Sequence, residues 1–129
     1  MKNLITAAIA IVAIGGGYYL FSGAPEARSS VVMPALSSVA AEGEIVFQGT
    51  CAACHGTDLT GTETGPPLLH PFYKPGHHSD AAIVRAVQAG SAQHHWRFGD
   101  MPPQPQIADA DIVKLIAYIR EVQRANGVN

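Results

Sequence analysis

Charge is scarce in this sequence. Asp, Glu, Lys and Arg make up 14% of the 129 residues and sum to a formal −2, with no long run of either sign. That balance argues against a nucleic-acid binder, which would need a basic face to neutralise phosphates. Long strand-like runs and internal repeats are also missing, which leaves neither a β architecture nor a solenoid and points to an all-α fold. Length permits one small domain, and part of the chain is not available to it. A core of that size buries only a modest share of its surface, so a staple, a metal or a cofactor is expected to complete it.

The unavailable part lies at the start. No charged residue occurs from Leu4 to Pro25, and "LITAAIAIVAIGGGYYLF" fills residues 4–21. As a helix rising about 1.5 Å per residue it would reach ~27 Å, close to the hydrocarbon thickness of a thin bilayer. Lys2 would hold the short front end in the cytoplasm, and Tyr18 and Tyr19 suit the far interface. Residues 1–21 are therefore expected to be an N-terminal transmembrane anchor. The alternative is a cleaved signal peptide ending at Ser22-Gly23-Ala24, but Pro25 is a poor residue to follow a cut. Either way the rest of the chain is exported. Residues 22–40 mix Ser, Ala, Gly and Pro without a period and read as a flexible linker spanning about 25 Å.

From about Ala41 the pattern is helical. Gly43 and Phe47 share a face, with Ile45 and Val46 beside them, and the turn runs into the cysteine region. A second helix is predicted to Ala89, with Ser79 as N-cap, an Ile83-Val84-Val87 stripe and Gly90 as its end. The third is the clearest, with Ile112, Leu115, Ile116, Ile119 and Val122 at helical spacing and Tyr118 alongside. Asp109 and Asp111 suit its first turn, and Arg120 and Arg124 suit its last. Between the helices lie long Pro- and Gly-rich loops. Residues 41–129 thus form a domain whose loops are expected to wrap something.

The only two cysteines occur in "CAACHG", residues 51–56. A disulfide between Cys51 and Cys54 would close a very small, strained ring. Zinc would need two more ligands, and the adjacent pairs His77-His78 and His94-His95 lack the usual spacing. A thioredoxin-type pair would open a helix, whereas these residues end one. C-x-x-C-H accounts for all three residues at once, through thiols that attach haem and an imidazole brought to its iron. Such an iron needs a ligand on its other face. Met101, between a Gly-Asp turn and Pro102-Pro103, is the leading candidate; Met33 lies in the linker and competes poorly.

Residues 41–125 resemble a small class I c-type cytochrome of the bacterial kind. The resemblance rests on Gly43 and Phe47, Cys51-Ala-Ala-Cys54-His55, Gly65-Pro66-Pro67-Leu68, Gly99-Asp-Met101-Pro102 and the aromatic-bearing last helix. It implies a helical fold around one covalent haem c, with Gly43 and Phe47 packed near Tyr118. It also implies that the Pro66 carbonyl takes the His55 Nδ1 proton and that Leu68 lies on the porphyrin. One departure is Ala108, which stands where the family often caps the last helix with Ser or Thr. Trp96 and Arg97, five and four residues before Met101, are candidates to reach the haem propionates.

An iron held on both faces has no open position, so the resemblance implies one-electron transfer without a small-molecule substrate. The anchored form is similar to cytochromes that link respiratory complexes at the bacterial inner membrane, with the haem domain in the periplasm. After signal cleavage it would instead be soluble there. A peroxidase-like enzyme with Met101 displaced is the alternative from another class, and a metal-handling protein is a third. The third draws on His70, His77, His78, His94 and His95, whose imidazoles suit copper or zinc if they converge. Since adjacent side chains usually point apart, each His-His pair is expected to offer one ligand.

Overall fold

The computed structural model describes residues 30–129; the expected anchor, and the linker as far as residue 29, lie outside the described residues. Ser37 opens the first helix, α1 (Ser38–Val46), with its Oγ accepting from the Ala40 N–H at 3.2 Å. This start precedes the apolar spacing at Ala41, because Ser37 supplies a cap and is itself held. The Glu121 carboxylate accepts from the Ser37 N–H at 3.0 Å and its hydroxyl at 2.7 Å, and these bonds pull Glu121 below the usual carboxylate range. The chain then passes through a π-helical turn, Phe47–Cys51, into the short α2 (Ala52–His55). The wider turn inserts one residue and so changes the face from which the cysteine segment emerges.

After a long loop with a 3₁₀ turn at Pro71–Tyr73, α3 runs Asp80–Ala89. Ser79 caps it through the Ala82 N–H at 3.3 Å, and Gly90, at φ 78°, ends it. The last helix, α4 (Asp109–Ala125), starts at Ala108 without a side-chain cap, as the sequence suggested. Asp109 and Asp111 compensate in part by placing negative charge in the first turn. Among the described residues there is no strand, only an isolated bridge between Ser91 and Met101. No helix there is long and apolar enough to cross a membrane.

The core forms where α1 crosses α4. Ile112, Leu115, Tyr118, Ile119 and Val122 are buried on α4, facing Ala40 and Phe47. A Cβ at Gly43 would stand 2.9 Å from the Leu115 nitrogen and closer still to the Lys114 carbonyl, so the two backbones touch there. One turn on, the Phe47 and Tyr118 rings pack with centroids 5.3 Å apart. The Tyr118 hydroxyl is buried without a hydrogen-bond partner. Gln48 comes near it, but the Gln48 amide is engaged by the Thr57 carbonyl at 2.8 Å. Burial, with Glu44 nearby, pushes the Tyr118 phenol up to about 12.

The compact unit begins at Val31. Asn126 accepts from the Val32 N–H at 2.9 Å and donates to the Val32 carbonyl at 2.8 Å. The described end of the expected 22–40 linker therefore packs on α4 instead of swinging free.

Gly43→Ala forces the helices apart, an overpacking cost of about 1–3 kcal/mol or more, which in a domain of this size lowers Tm by roughly 5 °C or more. Gly49→Ala, whose Cβ would meet nothing within 4 Å, is the control and should not lower Tm. Thermal melts of the two variants check this, and an unchanged Tm for Gly43→Ala contradicts the crossing described.

Candidate functional site

A cleft partly open to solvent lies between α4, α3 and the two long loops. Phe47, Leu68, Ile83, Val87, Leu115 and Ile119 make it apolar. Cys51, His55, Pro66, Trp96 and Met101 also stand on its wall. The lining suits an apolar ligand held by a few polar contacts.

His55, the last residue of α2, is oriented by the loop that follows it. Its Nδ1 meets the Pro66 carbonyl at 2.9 Å, and a carbonyl can only accept, so Nδ1 carries the proton and Nε2 keeps a lone pair. Burial lowers the His55 pKa, against the opposing pull of the Pro66 bond, and so favours the neutral ring. The strap reaches this close because residue 65 has no side chain: a Cβ there would lie 2.9 Å from the Cys54 Cβ. Thr62 ties the same strap down, donating from Oγ1 to the Cys54 carbonyl at 2.7 Å.

Cys51 and Cys54 are both free thiols. Cys51 is half-buried on the cleft wall, and burial, with Cys54 beside it, pushes its thiol up to about 11. A redox-active C-x-x-C pair needs the opposite shift, toward thiolate. Cys54 is exposed.

Met101 is fixed through its backbone. It exchanges two hydrogen bonds with Ser91, at 2.9 and 2.8 Å, which close the loop between them. Inside that loop Asp100 accepts from the Gln93 N–H at 2.9 Å, and Gln93 accepts from the Gly99 N–H at 3.1 Å. The thioether is the only soft donor that the loop brings to the cleft. Trp96 shares the loop, and its Nε1 is buried with no partner. Tyr73 lies near enough for the indole to temper the rise that burial imposes on its phenol, but the pair misses hydrogen-bonding geometry. Arg97, by contrast, is exposed and off the cleft wall.

The histidines divide. His70 stays apart, its Nδ1 accepting from the Phe72 N–H at 3.2 Å and its ring set edge-on to Trp96 at 4.8 Å. The other four converge, with His77 and His95 Nε2 atoms 3.1 Å apart and those of His78 and His94 3.3 Å apart. Both members of each adjacent pair thus reach the cluster, contrary to the one-ligand expectation. The reason is local: residues 77 and 78 sit on a turn where both N–H groups bond the Lys74 carbonyl at 2.9 Å, so their rings fold the same way. Burial, then the neighbouring His77, His94 and Arg120 charges, lower the His78 pKa against its bond to the Phe72 carbonyl.

Sequence reading missed what holds these loops. Arg120, read as a charge for the end of α4, instead turns inward and is 7% exposed. It donates to Asp80 at 2.8 Å, to the Tyr73 carbonyl at 2.9 Å, to Gln123 at 2.6 Å and, by a very short bond, to the His78 carbonyl. Gln123 donates in turn to the Leu68 carbonyl at 2.8 Å. The available signal was position: Arg120 follows Ile116 by four residues and Gln123 follows Ile119 by four, which puts both on the apolar face.

The residues fit a flat apolar group with one polar edge. The apolar walls would cover its faces, the free His55 Nε2 and the Met101 sulfur offer metal ligands, and the orphaned Trp96 N–H awaits an acceptor. Helices around such a cleft, with Cys51 and His55 of the C-x-x-C-H motif on its wall, define a small helical haem-protein class. The sequence profile of the cytochrome c family matches residues 40–123, and the chain belongs to that family. It is similar to cytochrome c6 of Synechocystis sp., at 32% identity over 87 residues, covering 66% of this chain and 67% of that one. No solved structure matches it. The protein is accordingly a class I c-type cytochrome, a haem-based electron carrier with covalent haem c and not an enzyme.

Arg120→Met removes a donor from the His78 and Tyr73 carbonyls and from Gln123 Oε1, although the Tyr73 carbonyl keeps its bond from Gln123 Nε2 at 3.3 Å. Leaving the other two without it should cost roughly 1–3 kcal/mol, with Asp80 exposed enough to contribute little. Denaturant unfolding measures it; a cost under about 1 kcal/mol would show that the loops are held some other way.

Proposed function

We propose that the protein is a periplasmic, monohaem electron carrier tethered to the bacterial inner membrane, passing single electrons between respiratory complexes. The observation that carries the proposal is the His55–Pro66 bond beside the cysteine pair, which leaves a bare Nε2 facing an apolar cleft. When bound, haem c supplies an iron that changes oxidation state by one electron.

Each residue then has a defined task. Cys51 and Cys54 would supply the two thiols for thioether attachment, and the short helical turn between them sets their separation. His55 would offer its Nε2 to the iron, its ring held by Pro66 so that Nε2 keeps one direction. Met101 would offer the other ligand, a neutral thioether, which favours ferrous iron and would raise the potential. Leu68 and its apolar neighbours would exclude water, and the partnerless Trp96 indole N–H would be available to a propionate. With His55 and Met101 both offered to the iron, the chain would leave it no open position for a small-molecule substrate. Residues 1–21 act as the anchor, which the uncharged apolar run at 4–21 supports.

Two experiments test this. Protein co-expressed with a haem-attachment system should keep one haem after denaturing electrophoresis and lose it in Cys51→Ala/Cys54→Ala. Met101→His should stay low-spin with a substantially lower midpoint potential, since imidazole favours ferric iron more than a thioether does. An unchanged potential would remove Met101 from the coordination.

Fractionation tests the tether. The full chain should stay with membranes through a high-salt wash, and a chain lacking the first 25 residues should be soluble. A mature N-terminus near Pro25 would instead mark a cleaved signal.

A further inference from the structure

We infer that His77, His78, His94 and His95 form a binding site for one divalent transition-metal ion of borderline softness at the rim of the haem cleft. The decisive feature is where the ring protons lie. His78 Nδ1 meets the Phe72 carbonyl at 2.6 Å, and His94 Nδ1 meets the Ala92 carbonyl at 2.8 Å. Each carbonyl can only accept, so in each neutral ring the single proton sits on Nδ1 and Nε2 is bare. Those two bare Nε2 atoms face each other at 3.3 Å. Two lone pairs at that distance repel unless a positive centre lies between or beside them.

A metal ion meets that need. Four imidazole nitrogens at about 2.0–2.1 Å from a tetrahedral ion stand ~3.3 Å from one another. The observed Nε2 separations are 3.1 Å for His77–His95 and 3.3 Å for His78–His94. Ligand atoms of His77, His78 and His95 fall within 4.8 Å of one another, and His94 joins them through His78. The backbone carbonyls that hold Nδ1 of His78 and His94 are the partners that metal-bound imidazoles ordinarily have. An all-nitrogen donor set excludes calcium and magnesium, which demand oxygen, and selects Cu(II), Zn(II) or Ni(II).

The loops are also held where the site needs them. Arg120 binds the His78 carbonyl from below, and the Ser91–Met101 pair closes the loop that carries His94 and His95. Metal binding itself does not depend on the haem reading; its redox consequence does. A dication at the cleft rim disfavours the more positive ferric state and so raises the potential, which ties electron transfer to metal supply.

The test is a calorimetric titration of Cu(II), and separately Zn(II), into metal-stripped holoprotein at neutral pH, with the haem spectrum recorded on each sample. One ion per chain should bind with Kd below about 1 µM. His78→Ala/His94→Ala should weaken that at least ~100-fold with the haem spectrum intact, and His70→Ala should leave it unchanged. Binding of both ions weaker than about 10 µM would mean that the imidazoles only share a proton, and overturns the site. So does equal affinity in the double variant. Should that variant lose its haem, His77→Ala and His95→Ala singly carry the same test. Protein that binds metal but carries no haem would overturn the carrier reading and leave the site standing.

Discussion

Everything else in the domain depends on two helix backbones in contact. At Gly43 there is no room for a single methyl group between α1 and α4. That contact sets the angle at which α1 leaves the core, and α1 continues through the π turn into the segment that carries Cys51, Cys54 and His55. Phe47 against Tyr118 fixes the rotation of α1 about its axis. The cofactor motif therefore projects into the cleft because a glycine sits two turns upstream of it.

The far wall follows a different logic. Apolar burial cannot order loops as polar as 70–79 and 90–108, so hydrogen bonds do it. Arg120 and Gln123 reach from α4 to the carbonyls of Leu68, Tyr73 and His78. The buried guanidinium is tolerable because nearly all its N–H groups are used. One helix thus supplies both the apolar floor of the cleft and the polar ties that close its sides. Core stability, loop order and ligand placement are accordingly coupled, and a variant that loosens α4 should disturb all three.

Much of this was legible in the sequence. Apolar spacing located α3 and α4, Ser79 and Gly90 marked the ends of α3, and the C-x-x-C-H motif identified its own chemistry. The packing of Gly43 against α4 and the His55–Pro66 bond came from family resemblance, and the geometry agrees with both. The early start of α1 was not legible, because it depends on Glu121, far along the chain, holding Ser37. The inward turn of Arg120 was hidden for a similar reason. A basic residue near a helix end suits the dipole equally well, and only the carbonyls of a distant loop decide which way it faces. Arg97 fell the other way: its position in sequence suggested the cleft, and the loop carries it into solvent. The histidine cluster was half legible, since composition revealed the residues but not the turn that points adjacent rings together.

The central claim is that this cleft holds haem through His55 on one side and Met101 on the other. Proton NMR of the reduced, haem-loaded protein examines it most directly. A methionine methyl over the face of a porphyrin is driven far upfield by the ring current, outside the range of ordinary protein protons. The chain has three methionines, at 1, 33 and 101. The account predicts one such upfield methyl, absent from Met101→His and retained in Met33→Leu. No upfield methyl in the native protein, or one that survives Met101→His, would contradict it.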